Sequence, residues 1–94
     1  MSANDLKETF EKAVKLASSP EGGKWSLSNA QKTTMYGCYK KVHVGDVQGD
    51  RPGMFSPVAR QKWDGWKEAS ALSEEEAMKK YIAIVGEFAP EIKA

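Results

Sequence analysis

The chain of 94 residues is long enough for one small domain, and its 14 basic and 13 acidic residues leave a net charge of only +1. No apolar run approaches the ~20 residues that cross a bilayer, and the charged first residues lack the apolar segment of a secretory signal. The single cysteine, Cys38, excludes an internal disulfide, and there is no histidine and cysteine cluster for zinc. We therefore expect one domain over residues 1–94, located in a reducing compartment such as the cytoplasm.

The first segment has the apolar period of a helix. Its apolar positions recur at helical spacings: Leu6, Phe10, Ala13, Val14 and Ala17. Ser2, with Asp5 three residues later, is the predicted N-cap. Residues 18–23 contain one proline and two glycines and predict a loop, after which Trp25 and Leu27 should fold back onto the core.

Ser28 with Gln31 forms a predicted capping box, so a second helix should begin near Asn29 and end by Gly45. The helix carries two stripes of side chains. One stripe holds Ala30, Thr34, Cys38 and Val42, with Met35 beside it, and the other holds Tyr36, Tyr39, Lys40 and His43. Residues 45–57, rich in glycine and proline, predict a long loop, and loops of this length are usually functional or disordered.

Ser56 followed by Pro57 predicts the N-cap and first residue of a third helix. Its expected inward face consists of Ala59, Trp63, Trp66 and Ser70. Ser73 with Glu76 is a second capping box, and the helix behind it should bury Ala77 or Met78, Tyr81, Ile82, Val85, and Phe88 or Ala89. No segment alternates with a period of two, so the predicted fold class is all-α with four helices and no sheet.

Charge is distributed unevenly along the chain. Residues 32–67 carry seven basic and three acidic side chains, a net of +4, whereas residues 68–94 carry a net of −3. A basic middle segment suits a phosphorylated ligand, and a solvated surface is the alternative.

Catalysis has little support in the sequence. His43 is the only histidine and has no triad spacing around it, while Cys38 on an apolar stripe indicates a structural thiol. Asp46 and Asp50 are too few for a calcium site. We expect no enzyme, no catalytic residue, no metal site and no cofactor.

The stripe of Tyr36, Tyr39 and Lys40 offers flat rings for a base and donors for a phosphate. Lys62, beside Trp63 on the next helix, would add a second cation. The alternative is that the tyrosines form the rim of the core, with Lys40 extended to water.

Five linked motifs resemble the acyl-CoA-binding protein family over nearly the whole chain. They are Tyr36-Gly37-Cys38-Tyr39-Lys40, Val44-Gly45-Asp46, Arg51-Pro52-Gly53-Met54, Lys62-Trp63-Asp64-Gly65-Trp66 and Ala77-Met78-Lys79-Lys80-Tyr81-Ile82. The resemblance implies a four-helix up-down-down-up bundle that binds medium- to long-chain acyl-CoA thioesters one to one. It thus implies a non-catalytic intracellular carrier that delivers its ligand to lipid metabolism.

The resemblance also implies roles by position. Tyr39 would stack on adenine, Lys40 and Lys62 would bind the 3′-phosphate with the Tyr36 hydroxyl, and Tyr81 would close the adenine pocket. Gly37 and Cys38 lie in the same motif and are included among the expected ligand-binding residues.

Several positions depart from the family. Lys32 and Thr33 stand where an apolar pair usually lines the acyl groove, and they are the expected groove residues here. Ser56-Pro57 replaces an Asp-Phe pair, Val58 replaces a lysine, and the first loop is longer. These differences affect the acyl chain more than the nucleotide.

Two other functions are compatible with the sequence: a helical protein-interaction module or signalling-peptide precursor, and a domain fused to an acyl-CoA-processing enzyme. Nucleic-acid binding is disfavoured because the net charge is only +1. We expect a monomer that meets acyl-CoA-using enzymes transiently and does not insert stably into membranes.

Overall fold

The computed structural model describes residues 3–93. They form four helices, α1 (Ala3–Ala17), α2 (Asn29–His43), α3 (Pro57–Ser70) and α4 (Glu74–Phe88), with short 3-10 turns at Gly22–Lys24 and Pro90–Lys93. No strand is present in this part of the chain, and none of its helices is long and apolar enough to span a membrane. The all-α prediction is confirmed.

Contacts between helices define their directions. Thr33 and Gly37 of α2 meet Gly65 of α3, and further along Lys41 donates to the Ser70 carbonyl at 3.3 Å, so α2 and α3 run parallel. Helix α4 runs antiparallel to α2, because Gln31 near the start of α2 donates to Glu87 near the end of α4 at 2.8 Å.

Helix α1 lies parallel to α4 and antiparallel to α2. Lys7 is 3.9 Å from Glu74, and the ring of Phe10 meets Tyr81 one to two turns later in each helix. Glu11 meets His43 at the far end of α2. The order is therefore up-down-down-up, as the family resemblance implied, and residues 44–56 must return along the molecule to let α3 start beside the start of α2.

Two of the predicted helix starts have the expected caps. The Gln31 N–H donates to Ser28 Oγ at 3.0 Å while the Ser28 N–H donates to Gln31 Oε1 at 2.9 Å. Ser73 and Glu76 form the same reciprocal pair. The predicted cap at Ser2 lies outside the described residues.

The start of α3 corrects one prediction. Pro57 is the first helical residue as expected, but Ser56 makes no side-chain cap. Its backbone, at φ −125° and ψ 66°, belongs to a turn in which the Ser56 N–H donates to the Gly53 carbonyl at 3.0 Å. The extended conformation that aims Oγ at the first helical N–H groups is therefore not adopted.

The core lies between α1, α2 and α4. Phe10 is 0% exposed and packs edge-on against Tyr81 at 5.2 Å between ring centroids. The remaining buried apolar members of this cluster are Leu6, Ala13, Met35, Cys38, Ala69, Ala77, Met78, Ile82, Val85 and Ala89. Trp25 stacks on Phe88 at 5.6 Å, so the segment after the first loop folds back as predicted.

The inward face expected for α3 is only partly confirmed: Trp66 is buried, Trp63 and Ser70 are half-buried, and Ala59 is exposed. Gly65, Trp66 and Ala69 are buried, whereas Ala59 is exposed together with Pro57 and Val58. The first turn of α3 is exposed, and the closest backbone approach between α3 and α2 lies further along, at Gly65.

Candidate functional site

The tyrosines predicted from the stripe on α2 converge with Tyr81 of α4. Tyr36, Tyr39 and Tyr81 share a cavity of about 260 Å³, which we call the tyrosine groove. Val14 and Ser18 of α1 and Met35 of α2 complete its lining. Three aromatic rings beside an opening form a surface suited to a planar heterocycle.

Tyr36 also lines a second cavity, between α2 and α3, of about 200 Å³, which we call the lysine groove. Its lining consists of Asn29, Lys32, Thr33, Tyr36, Val58, Gln61 and Lys62. The ammonium of Lys62 stands 5.5 Å from the centroid of the Tyr36 ring, close enough for a cation–π contact. The expected acyl-groove residues Lys32 and Thr33 thus lie in the same cavity as the expected phosphate ligand Lys62.

Lys40 lies outside both groove linings. Its ammonium stands 4.7 Å from the centroid of the Trp66 ring, and Trp66 is held in turn by a 2.7 Å hydrogen bond from its Nε1–H to the Gly45 carbonyl. Trp66 therefore holds Lys40 on the α3 side of α2.

The basic residues near the two grooves differ in whether a carboxylate pairs with them. Within residues 3–93, no carboxylate forms an ion pair with Lys32, Lys40 or Lys62, whereas Lys41 pairs with Asp46 and Arg51 pairs with Asp64 through two hydrogen bonds of 2.7–2.8 Å. The Arg51 guanidinium lowers the pKa of the Asp64 carboxyl through that hydrogen bond. Two unpaired ammonium groups in the lysine groove, with a third over Trp66, favour an anionic ligand with several charges.

Gly37 and Cys38 lie in helix packing and line neither of these grooves. A Cβ at Gly37 would stand 2.1 Å from the Gly65 carbonyl oxygen, so α2 and α3 can approach this closely only with glycine there. Cys38 is buried and faces a separate cavity of about 380 Å³ between α2, α3 and α4. Burial raises the pKa of its thiol, as expected for the structural cysteine predicted from the stripe.

Tyr81 is only 5% exposed, and desolvation raises the pKa of its phenol to about 12. The nearby Tyr39 and Cys38 contribute smaller effects in the same direction. Its hydroxyl consequently stays protonated and can act as a hydrogen-bond donor over the physiological pH range.

The sequence analysis did not identify the residues behind Tyr39. The His43 ring lies 4.4 Å from the Tyr39 ring, and His43 Nε2 is 3.3 Å from Glu11 Oε1 of α1. His43 was on the predicted stripe, but its contact with Glu11 depends on how α1 crosses α2. Val14 and Ser18 were missed as well. The apolar period of α1 does not show which residues of this segment border a cavity with α2 and α4.

The fold and the two grooves define a small all-α ligand-binding protein with aromatic and cationic recognition surfaces. The family model described as Acyl CoA binding protein matches residues 7–85, and the chain belongs to this family.

Relatives support the assignment along most of the chain. The acyl-CoA-binding protein of Fritillaria agrestis is 52% identical over 81 residues, covering 85% of this chain and 88% of the relative. Acyl-CoA-binding protein homolog 3 of Caenorhabditis elegans is 45% identical over 78 residues, covering 82% and 67%. The crystal structure of Oryza sativa Acyl-CoA-Binding Protein 2 superposes with a TM-score of 0.77 at 40% identity, covering 95% of this chain and 94% of the other.

Proposed function

We propose that this protein is a non-catalytic carrier that binds fatty acyl-CoA thioesters of medium to long chain length. Membership of the family supports the ligand class. The observation on which the proposal depends most is that Lys32 and Lys62, which have no carboxylate partner among the described residues, line a groove that shares Tyr36 with the groove of the other two tyrosines. CoA carries about four negative charges at neutral pH, since phosphate groups have a second pKa near 6.

The proposed roles are those that the family resemblance implies. Tyr39, on the exposed side of the tyrosine groove and backed by His43, would stack on the adenine, with the protonated Tyr81 hydroxyl closing that groove. Lys62 and Lys40 would bind the 3′-phosphate together with the Tyr36 hydroxyl. The acyl chain would lie in the lysine groove along Thr33 and the methylenes of Lys32.

Sequestration would protect the thioester and hide the detergent-like chain until an acyl-CoA-using enzyme receives it. The protein would act as a cytoplasmic monomer, with no cofactor and with enzymes as transient partners. The Cys38 thiol faces the separate cavity behind α2 and therefore lines neither groove.

Calorimetric titration with a long-chain acyl-CoA, free CoA and the free fatty acid tests the proposal. The intact ligand should bind far more tightly than either part, because the tyrosines and lysines hold the nucleotide while the groove buries the tail at ~0.8 kcal/mol per methylene. Equal affinity for CoA and its long-chain thioester would show that the protein does not recognise the acyl chain, and the carrier function would be wrong.

A further inference from the structure

The turn before α3 exposes large apolar side chains. The hydrogen bond from the Ser56 N–H to the Gly53 carbonyl closes a tight turn with Met54 and Phe55 at its apex, and these side chains are 71% and 95% exposed. Val58, in the first turn of α3, is 65% exposed. We call Met54, Phe55 and Val58 the apolar tip. Isolated exposed apolar residues are ordinary on proteins, whereas three within five positions of the chain, two of them adjacent at a turn apex, favour contact with a partner.

Positive charge surrounds this tip. Arg60 and Lys62 of α3 have no carboxylate partner among the described residues, whereas Arg51 is paired with Asp64. Lys32 lines the same groove as Val58 and Lys62. Because α2 and α3 run parallel, both of their N-termini, with the positive ends of their dipoles, lie at this end of the molecule.

We propose that the apolar tip docks this protein on anionic lipid bilayers, with Met54 and Phe55 entering the interface and the cations around them contacting the headgroups. The apolar side chains suit the hydrocarbon of the bilayer, and the surrounding lysine and arginine side chains suit its anionic headgroups. The shape fits as well, because a turn apex projects outward and can enter a soft interface without a matching pocket.

Docking in this way would place the lysine groove at the bilayer surface. Val58 belongs to both the tip and the lining of that groove, next to Thr33 and Lys62. The contact is peripheral, since no helix among the described residues can span the membrane. This inference goes beyond the carrier function, because it concerns where the ligand-free protein sits and does not depend on what the grooves bind.

Cosedimentation of the ligand-free protein with vesicles tests the proposal. Vesicles of equal parts phosphatidylcholine and phosphatidylserine should retain the protein, vesicles of phosphatidylcholine alone should retain far less, and added salt should release it. Phe55→Ser should lower the partition coefficient on the anionic vesicles about tenfold, and Met54→Ser should lower it by a smaller factor, since less of Met54 is exposed.

Val44→Ser is the matched control, because Val44 is an exposed apolar residue at the opposite end of α2. Its partition coefficient should equal that of the unmodified protein. Phe55→Ser should keep the circular dichroism spectrum and the solution affinity for acyl-CoA, since Phe55 lines neither groove.

Three results would overturn the proposal. One is equal retention on the two vesicle types, and another is retention unaffected by Phe55→Ser. The third is a lipid-free dimer that Phe55→Ser dissociates, which would assign the tip to a second copy of the chain. Failure of the carrier function would show in the titrations with acyl-CoA and leave these lipid measurements unchanged.

Discussion

Helix α2 has two sides that differ in how they are packed. Toward α1 and α4, Met35 and Cys38 are buried in a core that contains the fully buried Phe10. Toward α3, α2 makes its closest approach through Gly37 and Gly65, and the lysine groove opens beside that contact. Large side chains fill the first side, whereas glycines on the second bring two backbones together.

The two sides of α2 therefore have different roles: the side facing α1 and α4 stabilises the fold, and the side facing α3 carries the proposed binding residues. Burying an apolar side chain of this size contributes about 1.5–3 kcal/mol, so the side facing α1 and α4 holds the bundle together. Ammonium groups on the other side contribute little to folding while water solvates them and no carboxylate pairs with them. Substitutions on the two sides should therefore change different measurements.

The largest expected effect on binding comes from the lysines. Lys40→Ala and Lys62→Ala should each weaken acyl-CoA binding by about 1.5–3 kcal/mol, the range for hydrogen bonds to charged groups. The thermal midpoint should stay almost unchanged, because what the folded protein loses is a partly solvated cation–π contact in each case. Calorimetry and thermal unfolding of the same samples measure both quantities.

Lys79→Ala provides the control for charge alone, since Lys79 is an exposed lysine of α4 that pairs with Glu75. Its affinity should remain that of the unmodified protein. Esters of dephospho-CoA, which lack the 3′-phosphate, identify the group that the lysines bind. If Lys40→Ala and Lys62→Ala lose as much affinity for these esters as for the complete ligand, the lysines do not contact that phosphate.

A smaller effect should appear on the core side at alkaline pH. The pKa of Tyr81 is raised from 10.0 to about 12 because burial disfavours the phenolate. A raised pKa in the folded state stabilises the protein fully below pH 10, and that contribution is lost as the pH rises toward 12. At about pH 11 the free energy of unfolding should be lower by roughly 1.4 kcal/mol, the equivalent of one pKa unit.

Urea unfolding near pH 8 and near pH 11 measures this effect in the unmodified protein and in Tyr81→Phe. The variant lacks the titrating phenol, so its free energy of unfolding should fall less between the two pH values. The difference between the two proteins reports Tyr81 together with its interaction with Tyr39 and Cys38. An equal fall in both would mean that Tyr81 does not resist ionisation in the folded state.

What the sequence predicted well depends on short-range interactions. The caps at Ser28 and Ser73 each involve residues three positions apart, and both form. Ser56 has the same local signal, yet its backbone is already held in the turn closed by the Gly53 carbonyl, so a competing local hydrogen bond replaces the cap. The grooves depend on which helices cross, and periodicity cannot show that Val14 faces Tyr36 or that Glu11 reaches His43. Helix directions came from the family resemblance, which encodes those crossings.

The smallest expected effect concerns Thr33, on the side of α2 that faces α3. Its hydroxyl donates to the Asn29 carbonyl at 2.8 Å, and its methyl group lies close to Gly65. Thr33 also lines the lysine groove, where a relative with an apolar residue would offer the acyl chain more surface. Thr33→Leu should raise affinity for the longest acyl chains by about 1 kcal/mol, equal to one or two extra buried methylenes, and leave free CoA unaffected.

Titration with a series of acyl-CoA chain lengths decides whether residue 33 contacts the tail. Affinity should rise more steeply with chain length in Thr33→Leu than in the unmodified protein, because only chains that reach residue 33 gain the added contact. Parallel curves would place the tail elsewhere. The larger side chain must also fit beside Gly65, where α2 and α3 already touch, so unfolding measurements should accompany the titrations. A gain in chain-length dependence without a loss of stability would show that the leucine points into the groove and leaves the helix contact intact.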